Sequence, residues 1–368
     1  MCKCNKLVIA LFTAIICLIL ILGPGSGRTG AEPSAPQMTQ ELAPAIMIAL
    51  PWDDPTIRIP PPQQFRAGRA PRTATFSINY LSAGSTQGSY TCQTWSTAAR
   101  TAFDYAASIW AAQITSAVPI RINACWANMG STSILGSSGS STIRDFPGAP
   151  RSGTYYSYAL ADALAGYDLD TVNPDSAITY NNTFAWYLGT DGNTPAGQHD
   201  FVSVALHEMG HSLNFAGSAR GGIYCSSSTY GCWGSATYPN IYDTFVKNGS
   251  GQTLFGNSLY PNQSTALLGQ FTGGNLYFTG TNAKAANGGG DVKIYAPLSW
   301  SQGSSYSHLD YTTFAGTANR LMVYAISSAS SIHSPGTVTM GLLKDLGWTT
   351  GGPTPGTNKV YLPLIQNP

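Results

Sequence analysis

The chain has 368 residues, a formal net charge of +1 and a charged fraction of only 10%. That balance gives no electrostatic reason to expect nucleic acid or an acidic partner. The length suits one large domain or two small ones.

The first 30 residues read as an export signal. Lys3 and Lys6 precede the apolar run Leu7–Leu22, and "GPGSGRTGA" follows. A basic start, an apolar stretch and a small-residue exit make a secretory signal, with the cut placed between Gly23 and Glu32. The run has 16 residues, fewer than the roughly 20 that a spanning helix needs. No stable membrane span is therefore expected after its removal. Cleavage would also remove Cys2, Cys4 and Cys17 and leave Cys92, Cys125, Cys225 and Cys232. An even count in an exported chain suggests two disulfides, for which three connectivities are possible. Cys225 and Cys232 bracket a short loop, so a local bridge between them is the simplest arrangement, and Cys92 with Cys125 follows. No close C-x-x-C pair argues for a cysteine zinc site.

Residues 31–73 are rich in Pro, Gln, Ala and Arg. Prolines at that density predict an irregular propeptide or linker. It contains no cysteine, so no thiol there could plug a metal. From Thr75 the pattern changes. "TFSINYL" alternates as a half-buried strand does, and "STAARTAFDYAASIWAAQI" carries Ala99, Phe103, Ala106 and Trp110 at helical spacing. "VPIRINACW" reads as a strand, the Ser/Gly-rich run after it as a loop, "YSYALADALAG" as a helix and "SAITYNN" as a strand open to an extended substrate. Strand, helix, strand and further sheet suggest an α/β half-domain.

"HDFVSVALHEMGHSL" carries the decisive pattern. On a helix His207 and His211, four apart, share one face, and Glu208 lies on the flank. H-E-x-x-H is the zinc-peptidase pattern, two imidazoles for the metal and a carboxylate as general base. After residue 213 regular signals thin out. "GTVTMGLLKDLGW", 336–348, predicts a last helix with Met340, Leu343 and Leu346 inward. The end, 351–368, reads as a Pro/Thr/Gly linker and a short apolar tail.

Two histidines do not complete a zinc site. The long zincin motif puts a glycine three residues after the second histidine and a third histidine three further on. Here those positions hold Asn214 and Gly217. Asn214 keeps the logic of the first, because Asn is the residue after Gly most tolerant of a left-handed turn. Of the other three histidines, His199 precedes the helix and points away along its axis. His333 lies in a Ser/Gly/Pro loop and suits a solvated or substrate-facing role. His308 is followed by the Leu321–Met322 pair.

"LHEMGHSLNF", with "YSHLD" and "ANRLM" downstream, resembles leishmanolysin-like metzincins, in which a long insertion separates the helix from the third histidine. Bacterial secreted proteins of this type look closer still, sharing counterparts of "FDYAASIWAAQI", "ITYNN", "YDTFV" and "LLKDLGW". The resemblance spans 74–350. It implies an α+β, metzincin-like fold. An N-terminal mixed sheet would carry the active-site helix, and a loop-rich C-terminal subdomain would end in a helix. It further implies Zn2+ on His207, His211 and His308, a Met-turn at Met322, Glu208 as general base, and Tyr324 near the reacting centre as in astacin-type members. The expected protein is a secreted, extracellular or cell-envelope endopeptidase, monomeric, acting on protein or peptide. Two other readings stay open: a non-catalytic secreted binding or adhesion protein on such a scaffold, and a peptidase whose last ligand is Asp243 or Asp310.

Overall fold

The computed structural model describes residues 37–50, 55–66, 68 and 73–350. The expected signal segment, 1–30, and the expected linker and tail, 351–368, lie outside them. Among the described residues no helix is long and apolar enough to cross a membrane. The described residues form a mixed α+β fold, with eight α-helical segments among them and a mixed main sheet.

The main sheet is built from β1 (Gln37–Glu41), β2 (Ala45–Ala49), β3 (Phe76–Tyr80), β4 (Ile120–Ala127), β5 (Ile134–Arg144), β6 (Tyr155–Ser157) and β7 (Ser176–Asn181). β3, β4 and β7 run parallel, β5 is antiparallel to β7, and β2 is antiparallel to β5. β1 and β6 pair the far end of β5. Two expectations fail here. The Ser/Gly run is the longest strand of the sheet, not a loop. The Pro-rich segment supplies two of its strands, because β2 contains no proline and both its edges find partners. As a result β7 lies between β4 and β5 and offers no free edge to a substrate.

Two helices lie on the sheet. In α1 (Thr97–Ala111) the Ser96 hydroxyl accepts from the Ala99 amide and caps the first turn. Its buried face is mostly alanine (Ala99, Ala102, Ala106 and Ala107), which lets α3 (Phe201–Ser212) approach closely. The Trp110 indole donates to the Leu206 carbonyl across that contact at 3.0 Å. The shorter α2 (Tyr158–Ala165) is capped by Ser157 and stops at Gly166, whose φ of 80° is the left-handed turn that glycine tolerates. Beneath α1 and α3, Trp95, Phe103, Trp126, Tyr180 and Phe201 pack edge to face, with Tyr180 and Phe201 at 4.9 Å. Cys92 and Cys125 are bridged at one side of this core, with Cα atoms 5.2 Å apart, and Cys225 is bridged to Cys232. Both pairings agree with the sequence reading.

After α3 the chain forms a small antiparallel sheet, β8 (Val246–Asn248), β9 (Leu276–Phe278) and β10 (Val292–Ile294). Strand β11 (Ala325–Ile326) returns to the main sheet parallel to β2. The short helix α4 (Thr281–Ala286) has no cap of its own, and Asp345 of α5 (Gly336–Leu346) fills that role. Its carboxylate accepts from the amides of Asn282 and Ala283. In α5, Leu343 and Leu346 are buried as expected, while Met340 is only half-buried. Trp348 then donates its indole N–H to the Leu213 carbonyl at 2.8 Å, fastening the end of the domain to the exit of α3.

Candidate metal centre

The site forms where α3 meets two segments far along the chain. Asp200 caps the helix by accepting from the Ser203 amide. One turn from the other end, a Cβ on Gly210 would come within 2.6 Å of the Met322 sulphur. Glycine there lets α3 settle on the Arg320–Met322 turn. Asn214 takes the chain out of the helix at φ 74°, the left-handed turn expected of it. Its side chain fixes that turn, accepting from the Ser157 amide at 2.6 Å and donating to Asn240 Oδ1 at 2.9 Å.

His308 is held from both sides. Its carbonyl accepts from the Tyr295 amide after β10, and the next amide, Leu309, donates to the Met322 carbonyl. This clamp brings its imidazole to the two on α3. The three Nε2 atoms form a near-equilateral triangle: 3.1 Å between His207 and His211, 3.1 Å between His207 and His308, and 3.2 Å between His211 and His308.

Each Nδ1 lies 2.7 Å from a carbonyl oxygen: Leu321 for His207, Phe215 for His211 and Ser304 for His308. A carbonyl only accepts, so each Nδ1 carries the proton and each Nε2 presents a lone pair. All three rings are buried. Burial, first of all, holds His207 down to about 4 and His211 and His308 well below the usual histidine range. Three neutral lone pairs therefore face one another at contact distance, with no proton between them. That arrangement is repulsive unless a cation lies at its centre. An ion ~2.1 Å from each nitrogen, the usual zinc–imidazole distance, would be seen by the three pairs at angles of about 95–99° and would keep a fourth direction open. Among the described residues these three are the group whose ligand atoms could hold a metal.

Glu208 turns from the helix toward β5 and β2. Its Oε1 accepts from the Met47 amide at 3.1 Å, and Oε2 is buried with no hydrogen-bond partner among the described residues. Burial raises its pKa well above the usual carboxylate range. Gly136 on β5 makes room for it: a Cβ there would lie 3.0 Å from Oε1. Met322 is fully buried under α3. Tyr324 stacks on Tyr295 at 4.3 Å and hydrogen-bonds with it.

The other candidates lie elsewhere. Asp243 is buried and accepts from Ser218 and Asn240, and Asp310 caps the Tyr311–Phe314 helix. Neither belongs to the histidine group. His199 sits in a two-residue strand before α3, not on the helix. His333 is not solvated. It is 1% exposed and bonded through Nε2 at 2.8 Å to Oδ2 of the buried Asp200, which also accepts from Ser203 and Thr194. Sequence reasoning missed the Met47 contact and the place of Gly136. The one signal for the latter was a glycine within an otherwise strand-length run.

No protein-family model, no curated protein and no solved structure matches the chain.

Proposed function

We propose that the chain is a secreted zinc-dependent endopeptidase on a metzincin-like fold, with His207, His211 and His308 as ligands, Met322 as the Met-turn and Glu208 as general base. The observation that carries this reading is the Nε2 triangle. Three neutral imidazoles, each oriented by its own carbonyl, leave one coordination direction free, the arrangement of a catalytic rather than a structural zinc site. The two disulfides suit an extracellular or cell-envelope protein.

A bound zinc would supply Lewis acidity toward a peptide carbonyl and lower the pKa of a water toward ~7. The chain's own groups do the rest. Glu208, whose burial raises its proton affinity, takes a proton from the attacking water and returns it to the departing amine. The carbonyls of Leu321, Phe215 and Ser304 hold each imidazole in its Nδ1–H form. Tyr324, tied to Tyr295 in this conformation, is the phenol that this reading assigns to the reacting centre.

Measuring bound metal and casein hydrolysis on the same preparations tests the reading. A chain that binds zinc stoichiometrically yet cleaves nothing, alone or after its N-terminal segment is removed, would favour the non-catalytic binding protein instead.

A further inference from the structure

Among the described residues β3 is the last strand of the main sheet, with β4 on one side only. The Thr75 carbonyl accepts from the Ile120 amide, and the Leu81 amide donates to the Ala124 carbonyl. In a parallel ladder alternate residues serve one edge, so Ser77 and Asn79 also turn to β4. Phe76, Ile78 and Tyr80 turn their amides and carbonyls outward, where an added strand would meet them. Their side chains pack on the core yet stay only half-buried. Beside them a groove of about 290 Å³ runs between β3 and α1, lined by Ala74, Phe76, Ile78, Asp104, Ala107 and Ala111. A bare edge with apolar side chains templates pairing with another strand, and native proteins cover such edges.

The chain leaves the described residues next to that groove. Thr349 and Thr350 pair antiparallel with Thr115 and Ile114. The Thr73 amide donates to the Ala111 carbonyl at 2.9 Å, and the Thr73 carbonyl accepts from the Ser116 amide at 3.0 Å. Residue 350 and the start of β3 therefore flank the same short segment. Residues 351–358, "GGPTPGTN", then lead to "KVYLPLI", 359–365. The eight linker residues span at most about 26–29 Å, while a five-residue strand such as β3 covers only about 17 Å. The apolar run can thus begin at Tyr80 and return along the edge. It is rich in strand formers, and Pro363 fits an edge strand where its nitrogen faces away from the neighbour.

We propose that residues 359–365 form a further edge strand, antiparallel to β3, with Val360 opposite Tyr80, Leu362 opposite Ile78 and Leu364 opposite Phe76. Alternation gives Val360, Leu362 and Leu364 the bonding amides and lays their side chains over the groove. Tyr361 and Pro363 then turn their backbone nitrogens to the outside. Lys359 comes to the Tyr80 end, where Asp104 accepts from the Tyr80 hydroxyl at 2.6 Å. Arg100 lies over the same ring at 5.0 Å, so the apolar row rather than charge carries the contact. The assignment is independent of the histidine site and of the peptidase reading.

The test compares residue-resolved amide exchange in the full chain and in a chain ending at Thr350. An edge covered about nine-tenths of the time exchanges about tenfold more slowly than a bare one. The amides of Phe76, Ile78 and Tyr80 should therefore exchange at least about tenfold faster in the shorter chain. Those of Ser77 and Asn79, bonded to β4, should keep their rates. A synthetic peptide of residues 356–368 added to the shorter chain should restore the protection. N-methylation at Leu362 should abolish that rescue, and N-methylation at Tyr361 should spare it. Equal exchange of the three outward amides in the two chains overturns the proposal, and so does an equal effect of the two methylations. Protection that grows with protein concentration alongside a dimer in light scattering gives the edge to a second copy and overturns pairing within one chain. Where the shorter chain loses protection at Ser77 and Asn79 as well, Leu362→Pro in the full chain decides. The three outward amides must then quicken alone, and any other pattern overturns the proposal.

Discussion

The Nε2 atoms of His211 and His308 lie 3.2 Å apart although 97 positions separate them in the chain. Loop closure costs only about 0.6 kcal/mol per doubling of length, so the long intervening segment is no obstacle. What the site needs is the clamp on His308 between β10 and Met322, and the structure supplies it.

His308→Ala should lose most bound zinc, because two imidazoles do not make a closed tridentate set. His199→Ala and His333→Ala should keep it. His333→Ala should still melt at a lower temperature, since it strips a donor from buried Asp200, and hydrogen bonds to charged groups are worth about 1.5–3 kcal/mol. Metal analysis beside thermal denaturation separates the two effects. Full occupancy in His308→Ala refutes the ligand set.

Glu208→Gln should retain the metal and lose hydrolysis by about 10²–10⁴-fold. The amide keeps an oxygen for the Met47 donor, so the fold should tolerate it. Wild-type turnover in this variant would end the metallopeptidase reading.

Asn214→Ala should destabilise more than Asn214→Gly. Both leave the Ser157 amide without its buried acceptor, a loss of about 1–3 kcal/mol. Only alanine adds the left-handed strain at φ 74°, about 1–2 kcal/mol. Urea titration of the two variants at equal metal loading measures the difference, and equal midpoints would deny the strain argument.

The two bridges should differ in weight. Cys92 and Cys125 are 33 positions apart, Cys225 and Cys232 only 7. Chain entropy then gives about 3.7 kcal/mol for the first and about 2.4 for the second. Paired serine substitutions, compared by denaturation, should rank in that order.

Asp175 should make the protein less stable as pH rises from about 4 to 7. Burial pushes its carboxyl up to about 7 from an unfolded value of 3.8. Between those values the folded state holds a proton that the unfolded chain has released, so stability falls as pH climbs from about 4 to 7. Asp175→Asn keeps an oxygen for the Arg121 amide and carries no charge. It should raise the melting temperature at pH 8 and change little near pH 4. An equal shift at both values would show that the carboxyl's ionisation is not the cause.

Much of this protein is written locally. The alternation of 76–80, the alanine-lined face of α1, the serine cap of α2 and the i, i+4 pair on α3 depend on residues a few positions apart, so the sequence by itself determined them. The left-handed turn at Asn214 was legible for the same reason. So was the pairing of four cysteines, and the family resemblance pointed to His308. Elsewhere the outcome depended on distant partners. β5 is Ser- and Gly-rich with weak strand propensity, and it is a strand because β7 and β2 pair both its edges. β2 lies in a Pro-rich stretch, yet five proline-free residues sufficed once two edges were waiting. His333 looked like a loop residue and is buried against the Asp200 cap, 133 positions away in the chain. The capping of Glu208 by Met47 joins residues 161 positions apart. Tertiary structure alone decided these, because hydrogen-bond satisfaction in a buried sheet is a property of neighbours in space, while helix periodicity and capping are properties of neighbours along the chain.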